Sequence, residues 1–386
     1  MPRNPQQSTG AGFALRLRAF YGALFITLGV QMPFLPVWLA AMGLDAPTIG
    51  LVLALPMVVR VFAIPMATRL ADRHDALRIV IVAVTVGAVA GYGVLGLAQG
   101  AAAIMIVYTV AAAFYSPAML LTDTYALRGL AQFGGAYGPM RMWGSAAFIV
   151  SNLGAGVFLD LIAPQDLIWL IVACLALTAI SASALAPLER SDSVAAEMPS
   201  ARVLLRDRSF LLVVLATSLI QASHAVYYGF STIDWRAAGF SGTTIGALWA
   251  TGVIAEIVLF AASARLPRPI EPITLLLVGS AGAIARWGAM ALDPPGALLP
   301  FIQFLHALSF GATHLGSLAF VARAAPAGLG ATAQGYLSVA LGLVIAGATS
   351  AAGVLYARYG DAAYAAMALT AGAGGVCALV ARPRRT

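Results

Sequence analysis

The chain has 386 residues, 61% hydrophobic and 10% charged, with a mean hydropathy of +0.90 and a net charge of +7. Soluble domains carry about 25% charged residues, so a soluble globular fold is excluded and an integral membrane protein in a lipid bilayer is implied. Lysine is absent and all 22 basic residues are arginine; their sorting into loops explains the positive charge without a nucleic-acid partner.

A spanning helix needs about 20 mainly apolar residues. Twelve such runs are predicted in chain order, near about 17–40, 47–68, 79–98, 101–127, 136–159, 166–186, 209–233, 242–264, 272–292, 297–322, 331–356 and 362–381. Barrel strands would be shorter and alternating, so the fold class is all-α, and the abundant Gly and Ala suit close helix packing in lipid. Residues 1–12 are polar, and the first apolar run is too long for a signal-peptide core, so it reads as a retained span. A polar stretch over 187–209 divides six spans from six. The expected domains are a six-helix bundle over 1–188, a cytoplasmic linker over 189–207 and a second bundle over 208–386.

With the N-terminus in the cytoplasm, about 17 of the 22 arginines fall on the cytoplasmic side. They include Arg3, Arg16, Arg18, Arg69, Arg73, Arg78, Arg128, Arg190, Arg202, Arg206, Arg208, Arg265, Arg268, Arg323, Arg382, Arg384 and Arg385. Arg236 and Arg358 fall outside. Both termini are therefore expected in the cytoplasm, and the expected location is a bacterial inner membrane. Trp38 and Trp235, near outer span ends, fit an interfacial aromatic belt. Cys174 and Cys377 are isolated and form neither a disulfide framework nor a metal motif.

The two sets of six spans are internally related. A shift of 196 carries Gly43 onto Gly239, Thr48-Ile49-Gly50 onto Thr244-Ile245-Gly246, Ala54 onto Ala250 and Arg69-Leu70 onto Arg265-Leu266. In that register Arg60 falls on Glu256. A shift of 197 carries Gly156-Val157 onto Gly353-Val354. Parallel repeats with a site near the midplane are one large transporter architecture.

Charges inside spans are expensive and mark function or helix pairing. Arg60, Asp123, Arg141, Glu256 and Arg286 are such charges, joined by His224, His306 and His314. Asp123 and Arg141 lie about six residues either side of the connection between spans 4 and 5, hence at equal depth, about 9 Å in. They are expected to face each other, either as a helix staple or as a site in which Arg141 holds a polar or anionic substrate group. Glu256 lies mid-span. A carboxylate carried between an apolar and an arginine-facing environment takes up and releases a proton, so Glu256, Asp123 and His306 are the proton-coupling candidates; a fixed ion pair is the alternative for Glu256. Gln221, His224 and Tyr228 share one face of span 7. Gln31 aligns near Tyr227, and Pro33 and Pro36 are expected to bend span 1. With Arg141, Trp143, Arg286 and Arg60, the residues Gln31, His224 and Tyr228 form the expected substrate-binding set. No catalytic motif, P-loop or metal-ligand pattern is present, so no enzyme, no cofactor and no metal is expected, and a gradient is the expected driving force.

Twelve spans, a central loop and the basic segment Arg69-Leu70-Ala71-Asp72-Arg73-His74-Asp75-Ala76-Leu77-Arg78 resemble the major facilitator superfamily. Its signature has glycines where Thr68 and Asp75 stand here; Asp72-Arg73 fits and takes the implied gating role. Pro33-Phe34-Leu35-Pro36-Val37-Trp38, Asp123-Thr124-Tyr125-Ala126-Leu127-Arg128 and Tyr137-Gly138-Pro139-Met140-Arg141-Met142-Trp143-Gly144-Ser145 resemble its phenylpropionate permease-like group, near the lactose permease and nucleoside–proton symporters. The resemblance implies that spans 1 and 7 line a cavity, and that spans 4 and 5 supply an acid and an arginine for substrate. It also implies an acid, an arginine and a histidine on spans 8, 9 and 10, matched by Glu256, Arg286 and His306. The family's carboxylate one turn after that histidine is Ser309 here. The expected function is a monomeric alternating-access carrier that moves a small organic molecule, such as an aromatic carboxylate, together with protons. A proton-driven exporter and a non-transporting receptor on the same fold are the alternatives.

Overall fold

The computed structural model describes residues 5–189, 202–263, 265, 270–326 and 329–382, with side chains from Gly10 onward. Arg3, Arg190, Arg268, Arg384, Arg385 and linker residues 190–201 lie outside the described residues. Among the described residues no strand occurs. The helices are α1 Pro5–Ala41, α2 Ala46–Arg73, α3 Leu77–Leu95, α4 Ala101–Tyr115, α5 Ala118–Phe133, α6 Tyr137–Leu161, α7 Leu167–Ser183 and α8 Arg202–Arg206. They continue with α9 Arg208–Ala222, α10 Ala225–Ala237, α11 Gly242–Ser263, α12 Pro272–Met290, α13 Leu299–Phe304, α14 Thr313–Ala324, α15 Gly330–Tyr359 and α16 Ala363–Ala381.

Local chemistry decides where the predicted spans stay whole. Span 4 breaks between α4 and α5 at Ser116-Pro117, where proline has no N–H for the ladder. Span 7 breaks between α9 and α10 at Ser223-His224, where both the N–H and Nδ1 of His224 lie against the Gln221 carbonyl, at 3.2 and 3.1 Å. Span 10 consists of α13, a π-helical segment Ala307–Ala312, and α14. The apolar helical stretch over Gly330–Ala381 has 52 residues. At 1.5 Å per residue it would run about 78 Å, far beyond a hydrocarbon core of about 30 Å. Gly360, at φ +53°, turns the chain between α15 and α16, which gives twelve spans.

The chain gathers into two compact units, one of residues 1–44, 58–193 and 232–250, the other of 45–57, 194–231 and 251–386. In the first, α1 packs on α6 and α7, and α3 on α4 and α7. In the second, α9 packs on α15 and α16, and α12 on α14 and α16. In the most apolar windows of spans 1 and 7, 72% of residues are buried, against 33–50% in the others. These two spans are therefore the inner helices of their units. The remaining helices turn large apolar side chains outward, among them Phe62, Met66, Ile79, Ile106 and Leu369. A surface so rich in exposed apolar side chains needs lipid. α1 runs on through Pro33 and Pro36 without ending.

The repeat seen in the sequence is a repeated helix link. Gly43 and Gly239 sit at φ +82° and +87°, where a Cβ is disfavoured. Each ends its helix by the same pair of bonds. Gly43 N–H donates to Ala40 O at 2.9 Å and Leu44 N–H to Leu39 O at 3.2 Å; Gly239 donates to Arg236 O at 3.0 Å and Phe240 to Trp235 O at 2.9 Å. The next helix is then capped at equivalent positions: Asp45 Oδ1 accepts from Thr48 N–H at 3.0 Å, and Ser241 Oγ from Thr244 N–H at 3.1 Å. The repeated glycines beyond the caps are contact points. A Cβ on Gly50 would lie 2.8 Å from Thr349 O and 2.9 Å from Gly353 Cα, and one on Gly246 would lie 2.3 Å from Asn152 O.

Candidate functional site

In the first unit the polar residues of spans 1, 4 and 5 converge on Asp123. Its Oδ1 accepts from Tyr21 OH at 2.7 Å and from Tyr137 OH at 2.9 Å. The expected ion pair with Arg141 is not formed. The two tyrosines occupy the carboxylate, and the Arg141 guanidinium lies over the Phe25 ring at 4.0 Å, with Tyr21 at 5.9 Å. Gly144, one turn after Arg141, lets this face approach, because a Cβ there would fall 2.6 Å from the Phe25 ring. Arg141 thus has aromatic faces for neighbours and, among the described residues, no carboxylate partner. Gln31 is on the same helix as Tyr21 and Phe25 but further along. Its Nε2 donates to Tyr92 OH at 2.6 Å and to Tyr108 OH at 3.5 Å, while its Oε1 is buried without a partner.

In the second unit a denser cluster surrounds Arg286 on α12, which is fully buried. Nη1 donates to His306 Nδ1 at 2.8 Å and to Ser309 Oγ at 3.4 Å; Nη2 donates to Gln303 Oε1 at 2.5 Å. The guanidinium lies 4.5 Å from the Tyr227 ring and 4.6 Å from Trp287. Because His306 Nδ1 accepts from arginine, the ring proton of a neutral His306 sits on Nε2. That nitrogen lies 3.7 Å from Glu256 Oε2. His224 Nε2 lies 3.2 Å from Ser309 Oγ, and its ring stacks on Tyr228 at 5.5 Å. The π-helical segment carries Ser309 and directly follows His306, a local irregularity often found at functional sites.

The loop between spans 2 and 3 is held within the first unit. Arg128 at the end of span 4 pairs with Asp72 at 3.5 Å and Asp75 at 3.3 Å. Arg73 is exposed. Asp75 sits at φ +46°, the left-handed region that the superfamily's glycine adopts at no steric cost, and which aspartate tolerates better than most residues.

Of the expected substrate residues, Arg286, His224, Tyr228 and the coupling candidates His306 and Glu256 come together in one cluster. Arg141 and Asp123 share a second with Tyr21 and Tyr137. Trp143 is 53% exposed. Arg60 is half-buried on α2, and His314 stacks on Phe310 at 5.9 Å. Sequence reasoning missed Gln303 and the tyrosine pair at Asp123. Gln303 lies one turn before His306, a spacing that places both on one helical face.

The family profile described as "MFS_1 like family" matches residues 14–366. The chain is 32% identical over 358 residues to the "Probable 3-phenylpropionic acid transporter" of Escherichia coli (strain K12), covering 91% of this chain and 93% of that protein. It is 28% identical over 347 residues to the "Maltose permease" of Geobacillus stearothermophilus, covering 88% and 87%. Among solved structures, a mutant of the nucleoside transporter NupG superposes with a TM-score of 0.83 at 16% identity, covering 96% of this chain and 98% of that one. A bacterial homolog of the human lysosomal transporter Spinster superposes with a TM-score of 0.76 at 14% identity, covering 98% of each chain. At such identities the structures speak for the fold alone.

Proposed function

The chain belongs to the MFS_1-like family of the major facilitator superfamily and is a multi-pass membrane transporter rather than an enzyme; we propose that it carries a small organic anion, an aromatic carboxylate of the phenylpropionate kind, together with a proton. The observation that supports an anion is the surroundings of Arg141 and Arg286. Arg286 is fully buried and Arg141 half-buried in its span, and their neighbours among the described residues are aromatic faces or neutral acceptors. A buried cation without a counter-charge is costly, and a substrate carboxylate supplies one. The aromatic surroundings, Phe25 and Tyr21 in one cluster and Tyr227 and Trp287 in the other, suit an aromatic ring beside that carboxylate.

Proton coupling rests on the chain of contacts Arg286–His306–Glu256. While Arg286 donates to Nδ1, His306 cannot take a second proton there. The exchangeable proton therefore belongs to Glu256, with His306 relaying the charge of Arg286 to it. Substrate at Arg286 weakens that relay and favours protonation of Glu256, so that anion and proton bind together. Asp123, hydrogen-bonded to two tyrosines, is the second coupling candidate. Alternating access is proposed to move residues 1–188 against 208–386, with Asp72 and Arg73 at the gate, in a bacterial inner membrane with both termini in the cytoplasm.

The test is uptake of 3-phenylpropionate into proteoliposomes with and without an inward proton gradient, above the rate of protein-free liposomes. Arg141→Ala removes a charge-assisted contact of about 1.5–3 kcal/mol, a loss of about 10–100-fold in affinity. Glu256→Gln is expected to abolish gradient-driven accumulation while counterflow exchange persists. Unchanged affinity in Arg141→Ala would remove the anchor from this scheme, and full gradient-driven accumulation by Glu256→Gln would remove the coupling site.

A further inference from the structure

Gln303 has no counterpart among the residues marked by charge or motif, yet it is fully buried against Arg286, itself fully buried. Its amide orientation is dictated by that cation. Only Oε1 can face the Arg286 Nη2 donor, since a flipped amide would set donor against donor. Nε2 is thereby turned away, and it is buried without a partner. On Arg286 the same is true of Nε. Nε and Nη2 share one edge of a guanidinium, so the unpartnered Nε–H lies on the side of the group where Gln303 sits. Two neighbouring residues thus hold unpaired N–H donors. His306 Nδ1, Ser309 Oγ and Gln303 Oε1, which accept from the guanidinium, are all neutral. Buried donors left unpaired in pairs are rare in folded proteins.

We propose that Gln303 is a specificity-determining residue, which together with Arg286 presents unpaired donors and no negative charge, so that the cluster takes a carboxylate and discriminates against the neutral analogue of the same shape. The inference rests on the organic-anion reading and deepens it. A carboxylate offers only acceptors and would complete both orphan donors; the corresponding amide brings an NH2 that meets donors. A glutamate at position 303 would place an internal carboxylate on Nη2 and do the substrate's work itself. Neutrality at this position is what leaves the arginine's charge for a ligand.

The experiment measures binding of 3-phenylpropionate and of 3-phenylpropionamide to the full chain in detergent, by thermal shift and calorimetry. The unaltered protein is expected to prefer the carboxylate by tenfold or more. Gln303→Glu is expected to bring the two ligands to equal affinity while the protein melts no lower than the unaltered chain. Gln303→Asn, too short to reach Nη2, serves where the glutamate variant does not fold, and is expected to lose most of the preference through weaker carboxylate binding with amide binding retained. A general loss of packing would lower both affinities together and leave their ratio. A preserved ratio in either folded variant overturns the role of Gln303 alone. An unaltered protein that binds both ligands equally, or neither, overturns the anion reading itself and this inference with it.

Discussion

Asp75 shows how one residue reshapes a motif. The superfamily pattern has glycine there, and φ +46° explains why. Aspartate keeps the turn at some cost and gains a carboxylate that joins Asp72 in holding Arg128. The two contributions separate by substitution. Asp75→Asn keeps the tolerance for the left-handed region and loses a partly exposed ion pair worth about 0.2–1 kcal/mol. Asp75→Ala loses the pair and adds a left-handed penalty of about 1–2 kcal/mol. The expected order of melting temperature in detergent is therefore Asn above Ala, with Asp75→Gly also above Ala. An alanine variant as stable as the asparagine one would show that the turn is not strained by a side chain. The same scale explains why the ion pair between Asp123 and Arg141, one of two arrangements expected from their equal depth, is not formed. Equal depth was legible from spacing, but the tyrosine hydroxyls that take the carboxylate come from Tyr21, 102 residues away, and from Tyr137 across a tight connection. Nothing in the local pattern announces them.

At the scale of elements, the start of α11 is held from outside its own sequence. The first four N–H groups of a helix lack intrahelical partners. Ser241 Oγ takes that of Thr244, and Asp160 at the end of α6 takes two more: Oδ1 accepts from Gly242 N–H at 2.6 Å and Oδ2 from Thr243 N–H at 3.0 Å. Thr243 Oγ1 and Arg236 complete the carboxylate at 3.1 and 3.0 Å. Gly156 and Gly242 make the approach possible, since a Cβ on either would fall 2.3 Å from the other's carbonyl oxygen. Asp160→Ala is expected to destabilise the protein by about 1–2 kcal/mol, the value of a lost helix cap, and Gly242→Ala by forcing the helices apart. Detergent melting curves check both; a neutral Asp160→Ala would mean that water replaces the cap without cost. The repeat marked this region from sequence, because Gly43/Gly239 and Gly50/Gly246 recur for backbone reasons that allow no side chain. Asp160 itself was not legible, being one acidic residue near a span end with its partners 76 to 83 residues on. Span count followed from hydropathy alone, whereas the breaks at Ser116-Pro117 and Ser223-His224 and the π segment depend on local bonding that hydropathy does not encode.

For the whole molecule, the charges deep in the spans set how transport responds to voltage. Arg60, Arg141 and Arg286 face Asp123 and Glu256 in number, which leaves the empty carrier one positive charge in excess. One bound monocarboxylate removes that excess, and one proton on Glu256 restores it. The empty and the doubly loaded carrier then bear the same charge, so a complete cycle of one proton with one monoanion moves no net charge. Only the half-loaded forms differ in charge. Moving one charge through 100 mV is worth about 2.3 kcal/mol, so a cycle with any other stoichiometry would respond strongly to potential. A pH difference of one unit supplies about 1.36 kcal/mol per proton, enough for about tenfold accumulation. The expected result in proteoliposomes is an initial rate of 3-phenylpropionate uptake, above that of protein-free liposomes, that rises with an inward proton gradient. It should stay within experimental scatter when a potassium diffusion potential of about 100 mV of either sign is imposed. Uptake that the potential alone can drive would require more than one proton per anion, and with it a second titrating carboxylate, for which Asp123 between Tyr21 and Tyr137 is the residue to test by Asp123→Asn.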